Sequence, residues 1–157
     1  MVQFKARPFQ TTDQDRVFAL IMTGLGQRFD EVKPEHNPDL FDIQTHYIDR
    51  DATFIVVETD DQLIGCGALI KENSSKTVAR IVRVSVHADY QGRGLGRTIS
   101  EKLLATARER GFSKVLVETN QDWTSALRLY KALGFRETHR VKADAFDFIE
   151  VHMALAL

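Results

Sequence analysis

Three glycines at alternate positions, Gly92, Gly94 and Gly96, stand with Arg93 and Arg97 between a β-favouring run ending Val84-Ser85-Val86 and an apolar-periodic stretch. Glycine admits left-handed turns and puts no Cβ over its backbone N–H group. Free N–H groups at a helix start, reinforced by the helix dipole, make a seat for phosphate. The two arginines add positive charge beside that seat. Residues 91–97 therefore point to a phosphorylated ligand gripped at a strand-to-helix junction.

Two other glycine-rich loops fit less well. A dinucleotide fold wants G-x-G-x-x-G after the first strand, and Arg97 occupies the place of its third glycine. A P-loop wants Gly-Lys followed by Ser or Thr, whereas Gly96-Arg97-Thr98 lacks the lysine. The remaining alternative is a glycine turn that holds nothing, which leaves the two arginines without a purpose.

The pattern must be carried by a chain of 157 residues, 43% hydrophobic and 27% charged, with net charge −1. That profile predicts one soluble domain over residues 1–157 with a sizeable core. Balanced charge gives no general attraction to nucleic acid or an anionic membrane. No apolar run is long enough to cross a bilayer, and the first residues lack the apolar stretch of a signal peptide. Cys66 is the lone cysteine. It suits a reducing cytoplasm. Five scattered histidines show no metal-ligand spacing, so no metal is expected.

Periodicity places the elements. Phe4 to Pro8 reads as a strand. Thr12 to Phe29 reads as a helix, with Thr12 as its cap, Asp15 as the capping-box acid, and Val17, Leu20, Ile21 and Leu25 on one face. A short second helix is expected from Asn37. Thr53–Glu58 and Leu63–Ile70 form a hairpin, and Val78–His87 is a long strand. Helix Leu95 to Ala107 stops at Gly111. Strand Lys114–Thr119 precedes a helix over Trp123–Leu133, capped by Asp122. Strands near Phe135–Val141 and Phe146–Leu157 close the chain. The order β-α-α-β-β-β-α-β-α-β-β predicts an α/β fold, a mixed sheet with helices on both faces.

The run Gln91-Gly92-Arg93-Gly94-Leu95-Gly96 resembles the Gln/Arg-x-x-Gly-x-Gly/Ala signature of the GCN5-related N-acetyltransferase (GNAT) superfamily. His87-Ala88-Asp89-Tyr90 is similar to its lead-in. Ala126-Leu127-Arg128-Leu129-Tyr130-Lys131-Ala132-Leu133-Gly134-Phe135 is similar to the family's second signature. The resemblance covers nearly the whole chain. It implies a mostly antiparallel central sheet splayed between its fourth and fifth strands.

By this resemblance the ligand is acetyl-CoA, used as co-substrate. Its diphosphate would lie on the amides of Gly92 through Arg97, and its pantetheine arm along the backbone of Val84, Ser85 and Val86. A backbone N–H there would polarise the thioester carbonyl. The acceptor would be a primary amine of a small molecule or peptide, attacking directly. Tyr130 matches the family tyrosine that protonates the departing thiolate. It shares a helix face with Leu127 and Leu133, so position alone does not separate this role from a core aromatic.

Glu118 is the candidate general base. It sits late on an apolar strand, where desolvation would raise its basicity. It also matches a glutamate used by the ribosomal-protein-acetylating branch; the competing reading is a structural strand-end acid. Arg80 and Arg83 stand where many members carry an acid. They would favour an acidic acceptor if they face the site, but a solvated sheet edge is the simpler expectation. Trp123 replaces a common cofactor-touching asparagine and reads first as a hydrophobic anchor, with Asn120 a substitute contact. Phe29, His36, Tyr47 and the stretch Asp144 to Phe148 fall on the implied acceptor wall. A non-catalytic acyl-CoA sensor is the alternative function, and the presence of Tyr130 argues against it. Pairing of two copies through the last strand is a further expectation.

Overall fold

The structure is a computed structural model describing residues 3–143 and 147–157. Among the described residues, seven strands form one sheet: β1 (Lys5–Pro8), β2 (Thr53–Glu58), β3 (Leu63–Lys71), β4 (Val78–Val86), β5 (Lys114–Asn120), β6 (Arg136–Lys142) and β7 (Ile149–Ala156). Their spatial order is β1-β2-β3-β4-β5-β7-β6. Every pairing is antiparallel except β4 with β5. The expected α/β architecture is present.

β3 lies mid-sheet and is buried from Leu63 through Leu69, which explains its continuous apolar run. One face is covered by α1 (Gln14–Gly26) and α2 (Ile43–His46), with Val17, Ile21, Leu40 and Ile43 packed on Phe54, Val56 and Ala68. The other carries α3 (Leu95–Glu109) and α4 (Thr124–Ala132), where Ile99 and Leu103 meet Ile81, Val115 and Val117.

Several boundaries differ from the sequence reading, each for a local reason. A 3-10 turn, Thr11–Asp13, precedes α1, and Asp13 rather than Asp15 is the capping acid. Its carboxylate accepts from the Gln10 N–H (2.8 Å) and from Arg7 (2.7 and 2.8 Å), which draws it fully inside. The second helix is broken into 3-10 turn Pro38–Phe41, α2 and 3-10 turn Ile48–Arg50. Asp42 breaks it by accepting from the Thr45 N–H at 3.0 Å, a cap that starts a new turn. α4 begins after Trp123 with no side-chain cap, so Asp122 does not serve as one.

The last strand is not an edge. β7 pairs with β5 on one side and β6 on the other. Pairing of two copies through β7 is therefore closed, and the free edge there is β6, exposed along its length.

Candidate active site

β4 and β5 pair over three residues only, ending at Arg80 opposite Leu116. Beyond that point β4 continues against β3 to Val86, while β5 continues against β7 to Asn120. The two strands diverge and open a cleft of about 540 Å³, walled by α1, the glycine turn and the start of α4. The sheet is thus splayed where the sequence reading put it.

β4 also carries a bulge at the cleft. Cys66 faces Ser85 but Ala68 faces Val82, so β4 has one residue more than β3 between these pairs. Arg83 takes the extra turn with φ 58, and the bulge removes a backbone unit from regular pairing. Val84, Ser85 and Val86 all line the cleft just after it.

At the far end, Gly92 and Gly94 have φ 76 and 81, and a Cβ on either would meet open space. Gly94 is the N-cap of α3 and offers no side chain, and no acid lies in the first turn. The amides that begin α3 therefore keep their donors free for an anion. Gln91, Gly92, Gly94, Leu95, Gly96 and Arg97 line the cleft. The arginines are less free than their charge suggests: Arg97 Nε donates to Glu101 at 2.6 Å, and Arg93 lies over the Tyr90 ring. Gln91 ties the turn to β4 through the Val86 carbonyl.

Tyr130 projects from α4 and lines the cleft, 6% exposed. Its hydroxyl has no hydrogen-bond partner among the described residues. Burial pushes it up to about 12, against a smaller opposing pull from Arg28, so the phenol keeps its proton.

Glu118 lines the cleft as well, but its side chain is half-exposed rather than desolvated. It stands 3.7 Å from Arg80 and 3.6 Å from His152, its cross-strand partner on β7. Glu118, Glu150 and His152 bring their ligand atoms within 4.8 Å of one another, a meeting the scattered histidines did not foretell. The Arg80 guanidinium already sets positive charge against these carboxylates.

Neither strand arginine lies on a solvated sheet edge, which corrects that expectation. Arg80 is clamped by Glu72 at 2.6 and 3.0 Å. Arg83 lines the cleft but spends its donors on Asp39 and Asn37. Asn120 is not among the cleft residues; buried, it accepts from the Asp122 N–H at 2.8 Å and shapes the turn into α4. Tyr47 is core, bonded to Asp39, and His36 is exposed on its 3-10 turn. Asp144, Ala145 and Phe146 lie outside the described residues. His87 accepts from the Asp89 N–H and caps the short turn before Gln91.

Trp123 is both anchor and wall. It lines the cleft and receives Phe29 edge-on at 5.6 Å; Phe29 in turn meets Phe148 at 5.7 Å. The residue missed by sequence reasoning is Arg28, whose guanidinium lies 4.2 Å over the Trp123 ring inside the cleft. A basic residue just past a helix end reads as a dipole partner, and nothing in the sequence tells which way it turns.

The model of the acetyltransferase (GNAT) family matches residues 18–135. Among curated proteins, N-acetyltransferase 8F1 of Rattus norvegicus is 28% identical over 103 residues, 64% of this chain and 47% of that protein. The chain spans about half the length of the curated relatives it matches. Among solved structures, an acetyltransferase from Streptococcus agalactiae superposes with TM-score 0.82 at 19% identity, covering 98% of both chains. Another neighbour, yncA from Salmonella typhimurium, was solved with its cofactor acetyl-CoA (TM-score 0.79, 18% identity, 98% of this chain and 94% of that one). The match takes in the splayed strands, the glycine turn and the tyrosine-bearing helix, and on that ground the chain belongs to the acetyltransferase (GNAT) family.

Proposed function

We propose that this chain is an acetyl-CoA-dependent N-acetyltransferase that passes the acetyl group to a primary amine of a small molecule or peptide by direct attack. One observation carries the reading: a single cleft runs from the uncapped amides of α3 to the protonated hydroxyl of Tyr130. The open space over Gly92 and Gly94 suits a diphosphate. The co-substrate supplies an activated acyl group as a thioester.

The residues divide the work. Gly92 to Arg97 hold the diphosphate, and the backbone of Val84, Ser85 and Val86 receives the pantetheine arm as an added strand. The bulged backbone beside Arg83 directs an N–H at the thioester carbonyl and steadies the charge that develops there. The amine nitrogen bonds to the carbonyl carbon, the carbon–sulfur bond breaks, and Tyr130 gives its proton to the leaving sulfur. Glu118 takes the proton the amine loses, with His152 beside it. Holding both reactants in one cleft supplies much of the rate. A reducing, cytoplasmic setting suits the buried, unpaired Cys66. No helix among the described residues is long and apolar enough to cross a membrane.

The test is thiol release from acetyl-CoA with a panel of primary amines, with the acetylated product weighed by mass spectrometry. Amine-dependent release is expected. Tight acetyl-CoA binding with no turnover on any amine would mean a sensor instead.

A further inference from the structure

We propose that Arg28 binds a carboxylate on the acceptor, so that the acceptor is an α-amino acid with an apolar side chain; this rests on the N-acetyltransferase reading above. Three arginines line the cleft: Arg28, Arg83 and Arg97. Arg83 is committed to Asp39 and Arg97 to Glu101. Arg28 has no carboxylate within ion-pairing distance among the described residues.

Its surroundings give it no anion in return for lost water. Arg28 remains exposed, yet part of it faces the cleft, and that partial loss of water lowers its affinity for a proton. A partly desolvated guanidinium without a counter-ion is a standing demand for one. Stacking on Trp123 fixes the plane of the fork, which suits two-pronged capture of a carboxylate rather than a diffuse surface charge.

The neighbours define the rest of the ligand. Glu118, in the same cleft, offers an acceptor for the amine, leaving the carboxylate for Arg28. Phe29, Trp123 and Phe148 form a run of ring contacts beside Arg28, an apolar surface for the side chain. A plain alkylamine would leave the guanidinium to water and forgo the charge-assisted, two-pronged pair that a carboxylate makes.

The experiment compares L-phenylalanine, phenylalanine amide and phenethylamine as acceptors for wild type, Arg28→Gln and Arg28→Lys, with acetyl-CoA affinity measured by calorimetry. Wild type should favour phenylalanine over phenethylamine by about tenfold in kcat/KM. Arg28→Gln should abolish that preference while acetyl-CoA binds as before, and Arg28→Lys should restore part of it. A merely structural role for Arg28 would leave the ratio between the two acceptors unmoved. Equal use of phenylalanine and phenethylamine by wild type overturns the inference alone, as does a loss of acetyl-CoA affinity in Arg28→Gln, which would assign the residue to the donor. Binding of acetyl-CoA without turnover on any of the three overturns the N-acetyltransferase reading as well.

Discussion

Arg83 and Asp39, 44 residues apart, form a two-pronged ion pair, Nε to Oδ2 at 3.0 Å and Nη2 to Oδ1 at 2.6 Å. Tyr47 donates to the same carboxylate. Burial alone would raise the Asp39 carboxyl, but these hydrogen bonds overcome it and hold it below the usual range. The pair pins the Pro38–Phe41 turn over the β4 bulge, so turn and bulge are fixed together. Arg83→Ala should lower stability by about 2–3 kcal/mol in urea unfolding. Arg83→Gly deletes the same pair but relieves the left-handed φ, and should be milder by about 1 kcal/mol.

Tyr130→Phe removes a hydroxyl that has no hydrogen-bond partner among the described residues, so its unfolding midpoint should barely move. Turnover should fall by about 10²-fold with acetyl-CoA affinity intact. Because burial raises the phenol to about 12, the wild-type proton is retained through the working range. The pH profile of the variant should therefore lie lower without changing shape below about pH 10.

Glu118→Gln should cut kcat/KM by about 10²-fold near neutral pH. The deficit should shrink as pH rises and the free amine no longer needs a base. A deficit constant with pH would assign Glu118 to holding Arg80 and His152 instead.

Asp13 is fully buried, and hydrogen bonds from Arg7 hold its carboxyl below the ordinary value despite that burial. A depressed native value means the stabilisation is complete above the unfolded-state value, about pH 4, and is lost as pH falls through the native one. Asp13→Asn should cost about 3–5 kcal/mol at neutral pH. Its stability should also fall less steeply on acidification, as followed by circular dichroism at stepped pH.

The backbone half of this site was legible in the sequence and much of the side-chain half was not. Gly92 and Gly94 announce themselves because their left-handed φ demands glycine. The motif pointed to Tyr130, which lines the cleft. Arg83 was not readable as an anchor: its partner lies 44 residues away and its φ of 58 is unusual for arginine. Arg28 was missed because the direction of a side chain past a helix end depends on Trp123, far along the chain. The expected pairing of copies through the last strand could not be checked from the sequence, because chain order does not reveal that β6 folds back outside β7.

Gly94→Glu tests the glycine turn in solution. Its φ of 81 strains any side chain, and a carboxylate there would bring like charge to a diphosphate. Acetyl-CoA binding should be lost in calorimetry while the fold persists.

The most direct measurement is a crystal structure of the chain soaked with acetyl-CoA. The account predicts the diphosphate on the amides of residues 92–97 and the thioester between β4 and β5, within reach of the Tyr130 hydroxyl. A coenzyme bound elsewhere, with the turn at Gly92–Gly94 bare, would contradict it.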